Sequence, residues 1–428
     1  MEEDMKGIHR LSAIAGIGAL FALTACAGGT VKGGDPNGSD EIVLRYGMWN
    51  VNQEPTFRAM ADAFEKANPG VTIEIELTPI SEYWTKLQTS LQGDSAPDVF
   101  WMNHLNLPLY ASNGVLAPLD DVIEAESIDL GEYPESIVEK YTWDGAQYGL
   151  PQDLDTIGLW YNKQLFDAAG LAYPTAEWTW DDVKTAAAAL TDPANGVFGI
   201  AASVDSQSNY YNTVYQAGTE ALSADGSSSN WDTAEAKAGI EFWRQFIEAG
   251  HSPGVAQLAE TPAHQLFPSG KLAMYYSGTW NVGPYTDDAA LASIVDVAPL
   301  PAGAREGVSV NSLVSAVNAK SPNLEMAARF AAFTASEQAA QIRIDVQDKA
   351  PAFGDKWRDW AEGSPFALTE LYEESLGAAF ALPATLNTPK WTSLEVDAMT
   401  KILGGEVPLD AGLAQLTSDI DAVLAEER

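Results

Sequence analysis

The chain has 428 residues, 46% of them apolar and 10% aromatic, a composition that buries a core and a length that suits two or three domains. Asp and Glu outnumber Lys and Arg by 60 to 23, for a net charge of −37, which argues against nucleic acid and against electrostatic adhesion to anionic lipid, since both need basic patches. A single cysteine, Cys26, rules out any disulfide within the chain, so the fold must hold by its core.

Lys6, His9 and Arg10 precede an almost wholly apolar run from Leu11 to Ala25. This is the layout of a secretory signal, too short to span a bilayer that needs roughly 20 apolar residues. Glu2, Glu3 and Asp4 are unusual in such an opening and make Met5 an alternative start. Residues 27–40, AGGTVKGGDPNGSD, have nothing to bury and read as a flexible leash. From Glu41 the pattern changes. EIVLRYGMW, VTIEIEL and APDVFWM read as strands, separated by EPTFRAMADAFEKANPG and SEYWTKLQTSLQ, whose apolar residues recur at helical spacing. A β-α-β-α-β run predicts a parallel sheet of α/β class. Asp144-Gly145 between aromatic flanks predicts a hairpin turn. WDDVKTAAAAL, WDTAEAKAGIEFWRQFIEAG, NLEMAARFAAFTA and residues 410–424 predict helices.

The common signatures of nucleophilic, nucleotide-binding and zinc-hydrolase sites are missing. His9, His104, His251 and His264 form no i, i+4 pair, so no metal and no cofactor is expected. Paired carboxylates for glycoside hydrolysis stay open as an alternative, because any acidic chain offers candidates.

Several stretches carry a resemblance. Leu23-Thr24-Ala25-Cys26 resembles the lipobox of bacterial lipoproteins, in which the signal is cut before a cysteine that is then acylated. YGLPQDLDTIGLWYNKQLFDAAGL resembles the most distinctive segment of the extracellular solute-binding proteins of ABC importers, and within them the sugar-binding group that includes the maltose-binding protein. SAPDVFWMN, FPSGKLAMYYSGTWNVG, VAPLPAG, SAVNAKSPNLEMAARFAAFTASEQAA and PKWTSLEVDAMTKILGGEVPLDAGLAQLTSDID match further family motifs in the same order, with Trp160 a mild departure. The resemblance spans residues 41–428. It implies a two-lobed periplasmic-binding-protein fold of type II, with the ligand cleft between lobes joined by hinge strands. Its layout would be a lipoprotein signal over 1–25, a lipid-anchored linker over 26–40, lobe one over 41–155 and 295–335, and lobe two over 156–294 and 336–428. The implied partners are a sugar, the permease subunits of an importer with its ATPase, and the outer face of the cell membrane through the lipid anchor, the protein itself being a monomer without catalysis. A same-fold binder of a polyol, a glycerol phosphate or a polyamine is the alternative.

A sugar has apolar C–H faces and a rim of hydroxyls, so aromatic rings beside Asp, Asn, Glu and Gln are the side chains to look for. At strand ends, where α/β ligands bind, these are Trp49, Asn50, Gln53 and Glu54, then Trp101, Asn103 and His104. Asp153 and Asp155 follow Pro151, and Asp155 falls where the resemblance places a ligand-binding acid. Tyr210 and Tyr211 are candidates to line the second lobe. Trp280 matches the family's stacking tryptophan, with Asn281 beside it. Asn311 and Ser312 match a close approach to the ligand, and Trp391 another aromatic position. Tyr161 and Asn162 read as structural, the amide capping the next helix, and Asp98 as a loop tie.

Overall fold

The computed structural model describes residues 41–427. The signal, the leash and Cys26 lie outside the described residues.

The first sheet holds β1 (Ile42–Met48), β2 (Val71–Leu77), β3 (Val99–Met102) and β4 (Leu116–Ala117). The expected β-α-β-α-β run forms it: β1 pairs in parallel with β2 and β3, and helices Glu54–Ala67 and Ile80–Gln92 make the crossovers. In the first helix Phe57, Met60, Ala61 and Phe64 are the buried stripe. Asp98 accepts from the Arg45 amide at 2.9 Å and from Ser321 Oγ at 2.5 Å, the loop tie expected of it. A small ribbon follows, β5 (Thr142–Trp143) and β6 (Ala146–Gln147). Its turn residues Asp144 and Gly145 both have positive φ, 49° and 81°, the geometry that matches the twist of a two-residue hairpin.

The second sheet is built around β7 (Asp155–Asn162), whose eight residues are all buried. It includes β8 (Phe198–Ile200), β9 (Leu272–Gly278), β10 (Val295–Ala298), β11 (Val308–Asn311) and β13 (Ala379–Phe380), in the order β13-β11-β7-β9-β8 with β10 also on β7. Between β11 and β13 in the chain, β12 (Val314–Asn318) returns to the first sheet, antiparallel to β3 and β4. Asn162 accepts from the Leu165 amide and caps the helix Lys163–Ala169, as its place in the motif implied.

The chain thus passes between sheets along residues 152–154, at Ser312–Leu313, and after the helix Glu337–Asp345. The last two passages differ from expectation. Residues 295–311, expected with the first lobe, hydrogen-bond to β7 of the second sheet. The helix Glu337–Asp345, expected with the second lobe, packs on Glu54–Ala67 of the first. Apolar pattern marks a strand but not its partner, so the expected return to the first sheet falls two strands too early in the sequence.

Six tryptophans are fully buried: Trp101, Trp160, Trp231, Trp243, Trp360 and Trp391. Near the last of these, on the helix Thr388–Leu403, sits a wholly buried carboxyl, Glu395. Tyr211 Oη donates to Glu395 Oε2 at 2.6 Å and Trp231 Nε1 to Oε1 at 3.0 Å. Burial outweighs both bonds and pushes the Glu395 carboxyl up to about 8. His104 is pushed the other way by burial, down to about 3. The sign follows from proton counts. Above about pH 4.5 the folded state keeps a proton on Glu395 that the unfolded chain has released, so the contribution of this group to stability falls as pH rises to about 8 and then levels. Below about 6.5 the unfolded chain protonates its copy of His104 while the folded one stays neutral, a loss on acidification that the Glu395 proton offsets down to about pH 4.5. Glu395→Gln should flatten the fall between pH 6.5 and 8, whose slope is at most about 1.4 kcal/mol per pH unit, and uncover a fall on acidification below pH 6.5 that the Glu395 proton offsets in the wild type. Urea midpoints across pH 5–9 check this, and an unaltered alkaline limb would assign the proton elsewhere.

Candidate functional site

A crevice of about 390 Å³ lies between the two sheets. One wall is the turn Val51–Gln53 and the start of the helix Glu54–Ala67, which follow β1. The other is Trp280 with Pro284, Thr286 and Asp287, which follow β9. Residues 346–348 close it. No Lys or Arg is among its lining residues.

Local chemistry sets both walls. Asn50 Oδ1 accepts from the Asn52 amide at 3.0 Å and fixes the turn after β1. That turn sends Gln53 inward, where its amide donates to both oxygens of Asp348, at 3.1 and 3.0 Å. Asp348 also accepts from the wholly buried Arg343 at 2.9 Å. On the other wall the half-buried indole of Trp280 folds back over Gly278 so closely that a Cβ there would collide with the ring. Glycine is needed at 278 for this approach. Thr279, one residue before the ring, donates to Asp155 Oδ1 at 3.3 Å and accepts from Tyr372 Oη at 3.0 Å.

Behind the crevice the three crossing segments meet in a buried polar cluster. Lys349 Nζ forms an ion pair with Asp155 and lies 3.6 Å from Asp153 Oδ2. Asp153 Oδ1 accepts the Leu313 amide at 2.8 Å. Burial works against the Lys349 ammonium, but Asp153 and Asp155 more than offset it and hold the amine above its ordinary value. Burial likewise raises the Asp155 carboxyl against the pull of Lys349. Asn311 pairs with Asp155 in the β11–β7 register. Neither its amide oxygen nor its nitrogen has a hydrogen-bond partner, and the same holds for Gln152 Nε2. Buried polar atoms of this kind mark unused bonding capacity.

Of the residues singled out in the sequence, Asn50, Gln53 and Trp280 line the crevice, Asp153 and Ser312 lie in the crossing segments behind it, and Asp155 and Asn311 end the strands that adjoin those segments. Glu54 is the half-buried first residue of its helix. Trp49 is half-buried in an aromatic cluster beside Asn50. Asn103 accepts from the amide and side chain of Asn106 and closes its own turn. Asn281 donates to Ser277 Oγ at 2.9 Å.

Others are not at the crevice. Trp101 and Trp391 are 0% exposed, their ring nitrogens donating to Tyr46 Oη and Thr385 Oγ1. Tyr211 is committed to Glu395, and Tyr210 is buried against Trp231. His104 is buried with Nε2 3.3 Å from the Leu382 carbonyl. In each case the ring that looked available is spent on the core. Gln347, Asp348 and Lys349 were missed, because nothing local in VQDKAP marks its charges as buried and only the fold turns them inward; Asp287, exposed at the crevice wall, was missed as well. A larger hollow of about 640 Å³ lies beside β11 with Tyr133, Lys140, Trp357 and Phe380 among its residues, and it collects none of the strand-end clusters.

Two α/β lobes joined by crossing segments, with a polar and aromatic crevice between them, define a solute-binding protein of the periplasmic type. The chain belongs to the family of bacterial extracellular solute-binding proteins, whose profile matches residues 50–341. It is similar to binding proteins of Brucella abortus, 28% identical over 267 residues, 61% of this chain and 64% of theirs; it therefore spans just under two thirds of the length of those relatives. The diacetylchitobiose binding protein of Streptomyces coelicolor is 24% identical over 98% of this chain and 99% of its own. Among solved structures, an ABC substrate-binding protein of Listeria monocytogenes in complex with cycloalternan superposes with a TM-score of 0.85 at 26% identity, over 90% of this chain and all of that one. These structures share the two-lobed fold. Among the described residues no helix is long and apolar enough to cross a membrane.

Lys349→Met should leave two buried carboxylates without their cation, at a cost of about 3–5 kcal/mol. Urea unfolding would show a lower midpoint, and the loss should deepen as pH rises from 5 to 8 because the uncompensated carboxylates ionise. An unchanged midpoint would remove the cluster from any role in holding the crossings.

Proposed function

We propose that the protein is the substrate-binding subunit of an ABC sugar importer, taking a neutral oligosaccharide into the crevice between its lobes. One observation carries this: the crevice offers a tryptophan face, amides, hydroxyls and carboxylates, and no cation. A ring face suits the C–H side of a pyranose, and the polar groups suit its hydroxyls. A phosphorylated solute would need a lysine or arginine there. Relatives named for diacetylchitobiose and a structure holding cycloalternan support a carbohydrate. Asp155, Asp153 and Asn311 supply further hydroxyl partners from behind, and Asn311 brings both atoms of its amide unused.

In this reading the three crossing segments are the hinge. Binding closes the lobes, and the closed form is what the permease subunits receive. The protein performs no chemistry, so the sugar leaves intact. Cys26 carries the lipid that holds it at the outer face of the membrane, and Cys26→Ser should move the protein from the detergent phase to the aqueous phase on partition.

Thermal shift against a panel of mono- and oligosaccharides, polyols, glycerol phosphates and polyamines tests the cargo. A ligand at a hundredfold excess over Kd adds about 2.7 kcal/mol of apparent stability. A neutral sugar should shift the melting temperature and be recovered unchanged. Trp280→Ala should weaken its binding at least about tenfold with the fold intact. A response to an anionic solute alone, or accumulation of cleaved sugar, would overturn the proposal.

A further inference from the structure

The hollow of about 640 Å³ beside β11 shares no lining residue with the crevice. Its volume lies within the range of about 300–1,000 Å³ in which small-molecule sites fall. Both lobes build it. From the first come Lys140 and Tyr133, whose Oη donates at 3.0 Å to the Ala335 carbonyl, just past the helix Leu324–Phe333 that packs on β12. From the second come Val310 of β11 and Phe380 of β13. Two of its rings are held in place from behind. Phe380 lies parallel to Tyr215, ring centres 4.2 Å apart, and Trp357 stacks on Tyr372 at 5.5 Å.

Lys140 is the group in this wall that the fold does not account for. An ammonium has three donors. One of them reaches the Val310 carbonyl at 2.9 Å, and among the described residues no acid forms an ion pair with it. In a chain with 60 acids this is out of pattern, because a cation drawn out of water is usually paired. Burial lowers the amine to about 8, so it still carries its charge at neutral pH. The neighbouring His104 is neutral there and supplies no counter-charge. A half-buried cation with donors to spare, in a hollow walled by fixed rings, is suited to an organic anion. Glu132 and Asp355 also line the hollow and are exposed. With the net charge of −37 they disfavour a highly charged anion such as a phosphate and leave a single carboxylate as the best match.

We propose that this hollow is a second ligand site, which takes a small organic carboxylate with an apolar or aromatic body, the carboxylate on Lys140 and the body against Tyr133, Trp357 and Phe380. The ligand is of a different class from the cargo, and the site stands whether or not the crevice takes a sugar. An α-amino acid and a simple organic acid present the same carboxylate, and the ammonium of the first has Glu132 and Asp355 to meet it.

The test is calorimetry on the purified protein with L-phenylalanine and L-leucine, their deaminated acids phenylpropionate and isocaproate, and their amides phenylalaninamide and leucinamide. At least one carboxylate should bind, and its amide should bind about tenfold or more weaker. Whether the amino acid or the deaminated acid is the tighter names the source, and either supports the site. Lys140→Met and Lys140→Gln should each remove the advantage of carboxylate over amide, with thermal melting showing that both are folded. Trp280→Ala, a change at the crevice, should leave the carboxylate affinity as it is. Silence across the panel, an amide bound as tightly as its acid, folded Lys140 variants that keep the preference, or loss of carboxylate binding in Trp280→Ala would each overturn the second site and leave the sugar reading standing.

Discussion

The meeting of Lys349 with Asp153 and Asp155 is the constraint on which the rest of the structure depends. Each of the three crossing segments contributes to it: Asp153 from the first, with Asp155 at the start of β7 just beyond it, the Leu313 amide from the second, Lys349 from the third. A buried ion pair adds little net stability, because desolvation offsets much of its attraction. What it does is fix position, since each charge is costly anywhere else. Both walls of the crevice hang from this point. Asp155 holds Thr279, which precedes Trp280. Asp348 precedes Lys349 and holds Gln53.

The site is therefore assembled from segments far apart in sequence and from side chains whose polar atoms are mostly already committed. Asp348 is shared between Gln53 and Arg343, and Asn281 is tied to Ser277. Committed groups hold their geometry before a ligand arrives, which lowers the ordering cost of binding. Others are uncommitted: Thr286 Oγ1 and Gln347 Oε1 on the crevice lining, and Gln152 Nε2 and both atoms of the Asn311 amide behind it.

Much of the first sheet was legible in the sequence, because β1, β2 and β3 and the helices between them follow one another and carry strong local periods. The hairpin at Asp144-Gly145 was legible for the same reason. The long-range pairings were not. Nothing in VAPLPAG says that its strand joins β7 instead of β3. The site was legible by type at Asn50, Gln53 and Trp280, where a strand end and a polar or aromatic residue coincide. It was not legible at Trp101, Trp391 or Tyr211, since a buried tryptophan and a ligand-facing one look alike in sequence. Lys349 was hidden for the opposite reason, as a charge that local pattern assigns to solvent.

The placement of β12 bears on how the chain folds as it is made. The first sheet has β12 between β3 and β4, and Tyr46 in β1 reaches its hydrogen-bond partner Ser315 only 269 residues later. The amino-terminal lobe cannot be completed when its own strands emerge. The edge of β3 stays without its neighbour until nearly the whole second sheet has been synthesised. Such an edge is a template for wrong pairing during that interval. The lobe that begins first thus finishes after its partner is largely in place, and the order of synthesis is not the order of folding.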